Sequence, residues 1–221
     1  MINITVDKKI RNACPNFVGV AVLALFTNSN YSDGLWREIN NKTEQCRKLY
    51  DVEKIKQMSS IKSTRDVYRQ LGKDPSRYRP SGESLLRRVL QGKSLYQINT
   101  AVDLINLASM EYGYSIGGFD YAKIQGNNIT LGVGIKDELY EGIGRGFLNI
   151  ENMPVYRDSI GGFGTPTSDN ERTKLHCDTN RLLALVNGYD GDKDNAMQCA
   201  NRICELLKKY ASCDNYNIST F

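Results

Sequence analysis

Histidine is nearly missing from this 221-residue chain; His176 is the only one. A single imidazole excludes the multi-histidine metal centres. The six cysteines, at positions 14, 46, 177, 199, 204 and 213, form no CxxC pair. A tetrahedral zinc site wants two close ligand pairs, so no metal is expected. Long apolar runs are missing too. The longest, FVGVAVLALF at residues 17–26, is about half of what a bilayer span needs. The opening MINITVDKKI has no apolar stretch of the kind a secretory signal carries. These absences predict no membrane association, a cytoplasmic location and reduced thiols.

Nucleotide-binding signatures are absent as well. EGIGRGF at residues 141–147 lacks the third-glycine spacing of a dinucleotide loop and reads as a glycine-rich hairpin. GVGIKDE at residues 132–138 has no GK[ST] and is no phosphate loop. Asp120, Asp137 and Glu138 show no metal-type spacing. No cofactor is expected.

What the chain does have is positive charge in one place. Residues 62–93 hold nine basic and three acidic side chains, a net of +6 within a whole-chain net of +4. The basic set includes Arg65, Arg69, Arg77, Arg79, Arg87, Arg88 and Lys93. Such clustering suits a phosphate-bearing partner, or it is a solvated or internally paired corner of the fold.

The length and an apolar fraction of 40% suit one domain with a sizeable core. The expectation is a single domain over residues 1–221, with an N-terminal strand and helices (1–60) packed on a 61–221 core. Residues 17–26 read as a buried strand. Residues 45–58 and 66–71 read as helices, the second ending at Gly72. Asp74-Pro75 and Arg79-Pro80 fix extended backbone. Ser81 is placed to cap the next helix, whose Leu85, Leu86, Val89 and Leu90 share one face, with Arg87 and Arg88 opposite. A further helix starts near Asn99, carries Asp103 in its first turn and stops at Gly113. Then strands alternate with glycines, at 129–135, 155–157, 173–177 and 181–187, before a last amphipathic helix at 195–210. The pattern predicts an α+β fold. His176, alternating within its expected strand, reads as structural. In DSIGGFGTPTSDNERT, residues 158–173, Gly161, Gly162 and Gly164 would let backbone approach a ligand, with Thr165, Thr167 and Ser168 adding hydroxyls. A mobile surface loop is the competing reading.

Four stretches taken together, GKDPSRYRPSGESLLRRVLQGKSLYQIN, AVDLINLASMEYGYSIGGFDYAKIQG, PVYRDSIGG and ERTKLHCDTNRLL, resemble the B3/B4 domain. This module occurs in the β subunit of bacterial phenylalanyl-tRNA synthetase and as free-standing proteins. The free-standing type matches better, since it shares PNFVGVAVLALF and the DPSRYRPS…LLRRVL segment. The resemblance implies a three-layer fold containing a β-sandwich of unusual topology flanked by helices. It also implies tRNA or aminoacyl-tRNA as the partner, and an editing activity that hydrolyses mischarged aminoacyl-tRNA. The alternatives are a binder or enzyme for a free amino acid or related metabolite, and a non-catalytic structural module. The implied pocket takes Asn99, Asp103 and Asn106 from the VDxxN helix, Gly117, Gly118 and Asp120 from SIGGFD, and Gly161, Gly162 and Thr165 from the glycine-rich loop. Gly117 stands where the synthetase has its editing histidine, and Thr165 where it has a glutamate. Hydrolysis here would then rest on positioning water and substrate.

Overall fold

The run FVGVAVLALF does become a strand, and its strict alternation decides the architecture. A computed structural model describes residues 2–221. In chain order its elements are β1 (Asn3–Val6), α1 (Lys8–Ala13), β2 (Val18–Leu25), α2 (Asp33–Leu49), α3 (Val52–Gln57), α4 (Ser59–Gln70), α5 (Ser81–Leu90), α6 (Thr100–Tyr112), β3 (Ile116–Asp120), β4 (Asn128–Val133), β5 (Glu141–Gly142), β6 (Gly146–Phe147), β7 (Pro154–Arg157), β8 (Gly162–Gly164), β9 (Arg181–Gly188), α7 (Lys193–Tyr210) and β10 (Asn215–Thr220). One sheet runs β10-β2-β9-β3 and is antiparallel. The second runs β1-β4-β7-β8, with only the β1–β4 pair parallel.

Side chains alternate across a strand, so β2 and β9 serve two cores at once. Val20, Val22 and Ala24 of β2, with Leu182, Ala184 and Val186 of β9, pack against α2, α5, α6 and α7. Ala21, Leu183 and Leu185 point the other way. They meet Ile129, Leu131, Tyr156 and Phe163 of the second sheet. The result is three layers: helices, sheet, sheet. Tyr156 crosses between the sheets with its hydroxyl on Asn187 Oδ1 at 2.7 Å. β2 lies between β10 and β9, in the interior of its sheet.

Several local expectations change. Residues 45–58 are not one helix; the chain breaks at Tyr50 and Asp51, and Asp51 caps α3 through Lys54 N at 2.8 Å. Pro80, not Ser81, sits at the cap of α5, and Ser81 N–H instead bonds Pro166 O at 2.7 Å. The strand expected at 173–177 does not form. A 3-10 turn, Glu171–Thr173, starts on the Asn170 side chain and leads into an irregular segment. The hairpin of EGIGRGF is present as β5–β6. Among the described residues no helix is long and apolar enough to cross a membrane.

Candidate functional site

Helix α6 begins where Asn99 caps it, its side chain accepting from Val102 N at 3.0 Å. It ends at Gly113, whose φ of 76° is left-handed backbone that glycine adopts freely. Between these stops, α6 lays Val102, Ile105, Asn106 and Ser109 along one wall of a cavity of about 480 Å³. Ser81 and Leu85 of α5 form a second wall, and Ile116 and Gly118 of β3 a third. A Cβ on Gly118 would stand 2.5 Å from Ile105 Cδ1, so glycine is what lets α6 and β3 approach here.

Two loops close the rim. The first supplies Thr165, Ser168 and Asp169. It is stiff: Thr165 Oγ1 donates to Ser168 O at 2.9 Å and accepts from Ser168 N at 3.1 Å. Tyr140 OH also holds Ser168 O, at 2.7 Å. The basic stretch braces it from outside, because Thr167 Oγ1 bonds Tyr78 O at 2.8 Å and pairs with Tyr68 OH at the same distance. The second loop supplies Lys174, Leu175, His176 and Cys177. Thr179 Oγ1 accepts His176 N–H at 3.0 Å and bonds Asp120 Oδ2 at 3.1 Å, while Asn28 Nδ2 donates to His176 O at 2.7 Å. Ile105, Ser109, Ile116 and Leu175 are buried at the base, whereas Ile98, Ile143, His176 and Cys177 are exposed at the mouth.

The polar lining divides into satisfied and unsatisfied groups. Lys174 is paired with Glu171. Ser109 Oγ is held by Tyr114 O at 2.6 Å. Asp169 Oδ2 accepts Gly118 N–H at 3.1 Å. Its Oδ1 and the Asn106 amide have no hydrogen-bond partner among the described residues. Burial pushes the Asp169 carboxyl up to about 7, against the opposing pull of the Gly118 N–H.

Of the pocket residues expected from sequence, the structure brings together Asn99, Asn106, Gly118 and Thr165. The others stand behind the wall. Asp103 takes Trp36 Nε1 at 2.8 Å and Ile98 N at 3.1 Å, fixing the mouth segment; burial raises its carboxyl. Asp120 holds the His176 loop as described. Gly117 faces Phe119 in the inter-sheet core. Gly162 packs on Val155 and Tyr140, and Gly161 lies outside the cavity. Asp169, Lys174, His176 and Cys177 were missed. A strand over 173–177 hides the direction of the KLHC side chains, and Asp169 follows the loop hydroxyls Thr165, Thr167 and Ser168 with no local signal that it turns inward.

The basic residues also divide. Arg65 Nη1 and Arg87 Nε each lie 2.8 Å from the carboxylate of Glu83, which has no solvent access, and Arg79 Nε approaches it to 3.7 Å. Arg65 further ties down Pro75 O and Ser76 Oγ. These three are therefore not simply free for phosphate, although one carboxylate leaves their cluster at a net +2. Arg69 pairs with Asp66 at 2.6 Å on an exposed surface. Arg77 and Lys93 are exposed. Arg88 stacks over the exposed Tyr96 ring at 3.8 Å, with its Nε on Ser94 O. Arg145, exposed on the β5–β6 turn two residues from Ile143, adds a cation near the mouth.

A family model described as the B3/4 domain matches residues 63–212. Among solved structures, the chain is similar to an N-terminal fragment of the phenylalanyl-tRNA synthetase β subunit from Pyrococcus horikoshii, at 14% identity and a TM-score of 0.49. The alignment covers 98% of this chain and 50% of that one, so this chain spans about half the length of the fragment. No curated protein matches.

Proposed function

Since the chain belongs to the B3/4 domain family, we propose that it binds aminoacylated tRNA, takes the aminoacyl-adenosine end into the cavity and hydrolyses the ester. The observation that carries this reading is the cavity itself. Its volume of about 480 Å³ lies within the range of small-molecule sites, and its walls are mostly apolar with a few fixed polar groups. The unpaired Asn106 amide is the donor for an ester carbonyl. His176, at the mouth, is the chain's only imidazole. Water adds to the carbonyl while its proton passes to His176. The tetrahedral intermediate then expels the ribose oxygen of the tRNA, which takes that proton back. Arg77, Arg88, Lys93 and Arg145 meet the phosphates behind the terminal adenosine, with Tyr96 a stacking surface for a base.

A second reading is favoured by one observation. Three of the seven sequence-predicted phosphate ligands are tied to Glu83, which suits a cavity serving a free amino acid or related metabolite. Deacylation of a panel of mischarged tRNAs decides. The proposal expects turnover of at least one, with His176→Ala slower by about 10²–10⁴-fold. No turnover on any tRNA and no tRNA binding at low salt would overturn it. Thermal stabilisation by free amino acids alone would then establish the second reading.

A further inference from the structure

We infer that Asp169 is an ammonium anchor: its carboxylate pairs with the free α-ammonium of the aminoacyl group, so the cavity takes amino-acid esters with a free amine and rejects N-blocked ones. This deepens the aminoacyl-tRNA reading and rests on it for the identity of the ester.

The backbone at Asp169 is pinned on both sides. It bridges Gly164, and its carbonyl accepts Ile143 N at 3.0 Å. The side chain is pinned through Oδ2 by the Gly118 N–H at 3.1 Å. A carboxylate held at both ends cannot swing away to find another partner. Its Oδ1 nevertheless has no hydrogen bond within the described residues, and the nearby cations are already committed. Lys174 goes to Glu171, and Arg172 goes to Asp158 at 2.9 Å. The remaining lining is apolar or neutral. Asp169 is half-buried, and an anion fixed among apolar walls without a counter-charge carries a desolvation cost that a cationic ligand group offsets. The raised proton affinity of this carboxyl has the same cause, loss of water around the charge. In an aminoacyl ester the group carrying positive charge is the α-ammonium. Acetylation, formylation or a preceding peptide bond abolishes that charge and adds bulk.

The test uses 3′-aminoacylamino-3′-deoxyadenosines, which carry a stable amide in place of the ester. Each is made with several amino acids, α-amine free or acetylated, and titrated calorimetrically into the full chain. The wild type is expected to bind the free-amine form at least about tenfold more tightly, the low end for a hydrogen bond to a charged group. Asp169→Asn, which keeps the shape and the Gly118 bond, is expected to bring the ratio to near one without weakening the acetylated probe. Equal binding of both forms by wild type, or an unchanged ratio in the variant, overturns the inference and leaves the aminoacyl-adenosine reading standing. If no adenosine probe binds, that reading fails, and amino-acid methyl esters with and without N-acetylation decide the anchor. A preference for free amines that Asp169→Asn abolishes upholds it, and no preference overturns it.

Discussion

Asp169 and Glu38 are two carboxyls that the fold treats in opposite ways. Burial drives Asp169 up to about 7. For Glu38 burial pushes the same way, but hydrogen bonds from Tyr210, Arg202 and Lys209 outweigh it and hold the carboxyl at about 2. An unfolded carboxyl titrates near 4. Between about pH 4 and 7 folded Asp169 therefore binds more protons than the unfolded chain, so its contribution to stability declines as pH rises and is spent above 7. For Glu38 the sign is reversed: its contribution is present above about pH 4 and is lost as pH falls through 2. Melting curves of Asp169→Asn against wild type should show a difference that moves in the variant's favour between pH 4.5 and 7.5. A difference that is flat with pH would contradict the raised proton affinity of the unpaired carboxyl. At this scale the sequence named the right neighbourhood and often the wrong role. Asn99, Asn106, Gly118 and Thr165 do line the cavity. Asp103 and Asp120 come from the same stretches as these residues, yet Asp103 accepts the Ile98 N–H and Asp120 the Thr179 hydroxyl, each holding a neighbouring segment in place. Which way a side chain points depends on partners such as Trp36 and Thr179, distant in sequence and invisible to local pattern.

Helix α5 shows how an element can do two jobs. Leu86 and Val89 are buried in the helical layer, while Leu85 and Ser81 turn to the cavity. Glu83 collects Arg65 from α4 and Arg87 from its own next turn, so it fastens two helices and the proline-rich connection between them. Glu83→Gln leaves guanidinium groups without their counter-charge and should cost about 3 kcal/mol, the low end for breaking a buried pair, because Arg79 and Arg87 keep some water. Urea unfolding checks it; a loss under about 0.5 kcal/mol, as at an ordinary exposed pair, would contradict the role. Arg88→Ala should behave differently. It should leave the urea midpoint nearly unchanged, weaken tRNA binding, and lower the salt slope by about one. Element boundaries were readable where capping chemistry is local, as at Asn99 and Gly113. They failed at 173–177, where an apolar alternation was overridden by the Asn170 turn and the Thr179 hydroxyl.

For the whole molecule, the apolar run at residues 17–26, the short strands further on and the helical periodicities suffice for an α+β reading, and the family resemblance implies the layers. The pairing order was not legible. β1 finds β4, and β10 finds β2, across most of the chain, and no local preference specifies such long-range choices. The charge distribution was legible as a sum but not as a surface, because Glu83 lies inside the cluster it partly neutralises. The account stands on one spatial claim, that the charged end of a tRNA enters the cavity between α6 and the two loops. Cys177 offers a direct reading of it, being at the mouth and exposed while the other five cysteines are buried. The measurement is the rate of Cys177 alkylation in the presence of tRNA carrying its amino acid through a stable 3′-amide, against the same tRNA uncharged. The account predicts marked slowing by the charged form only; equal rates under conditions where both are bound would contradict it.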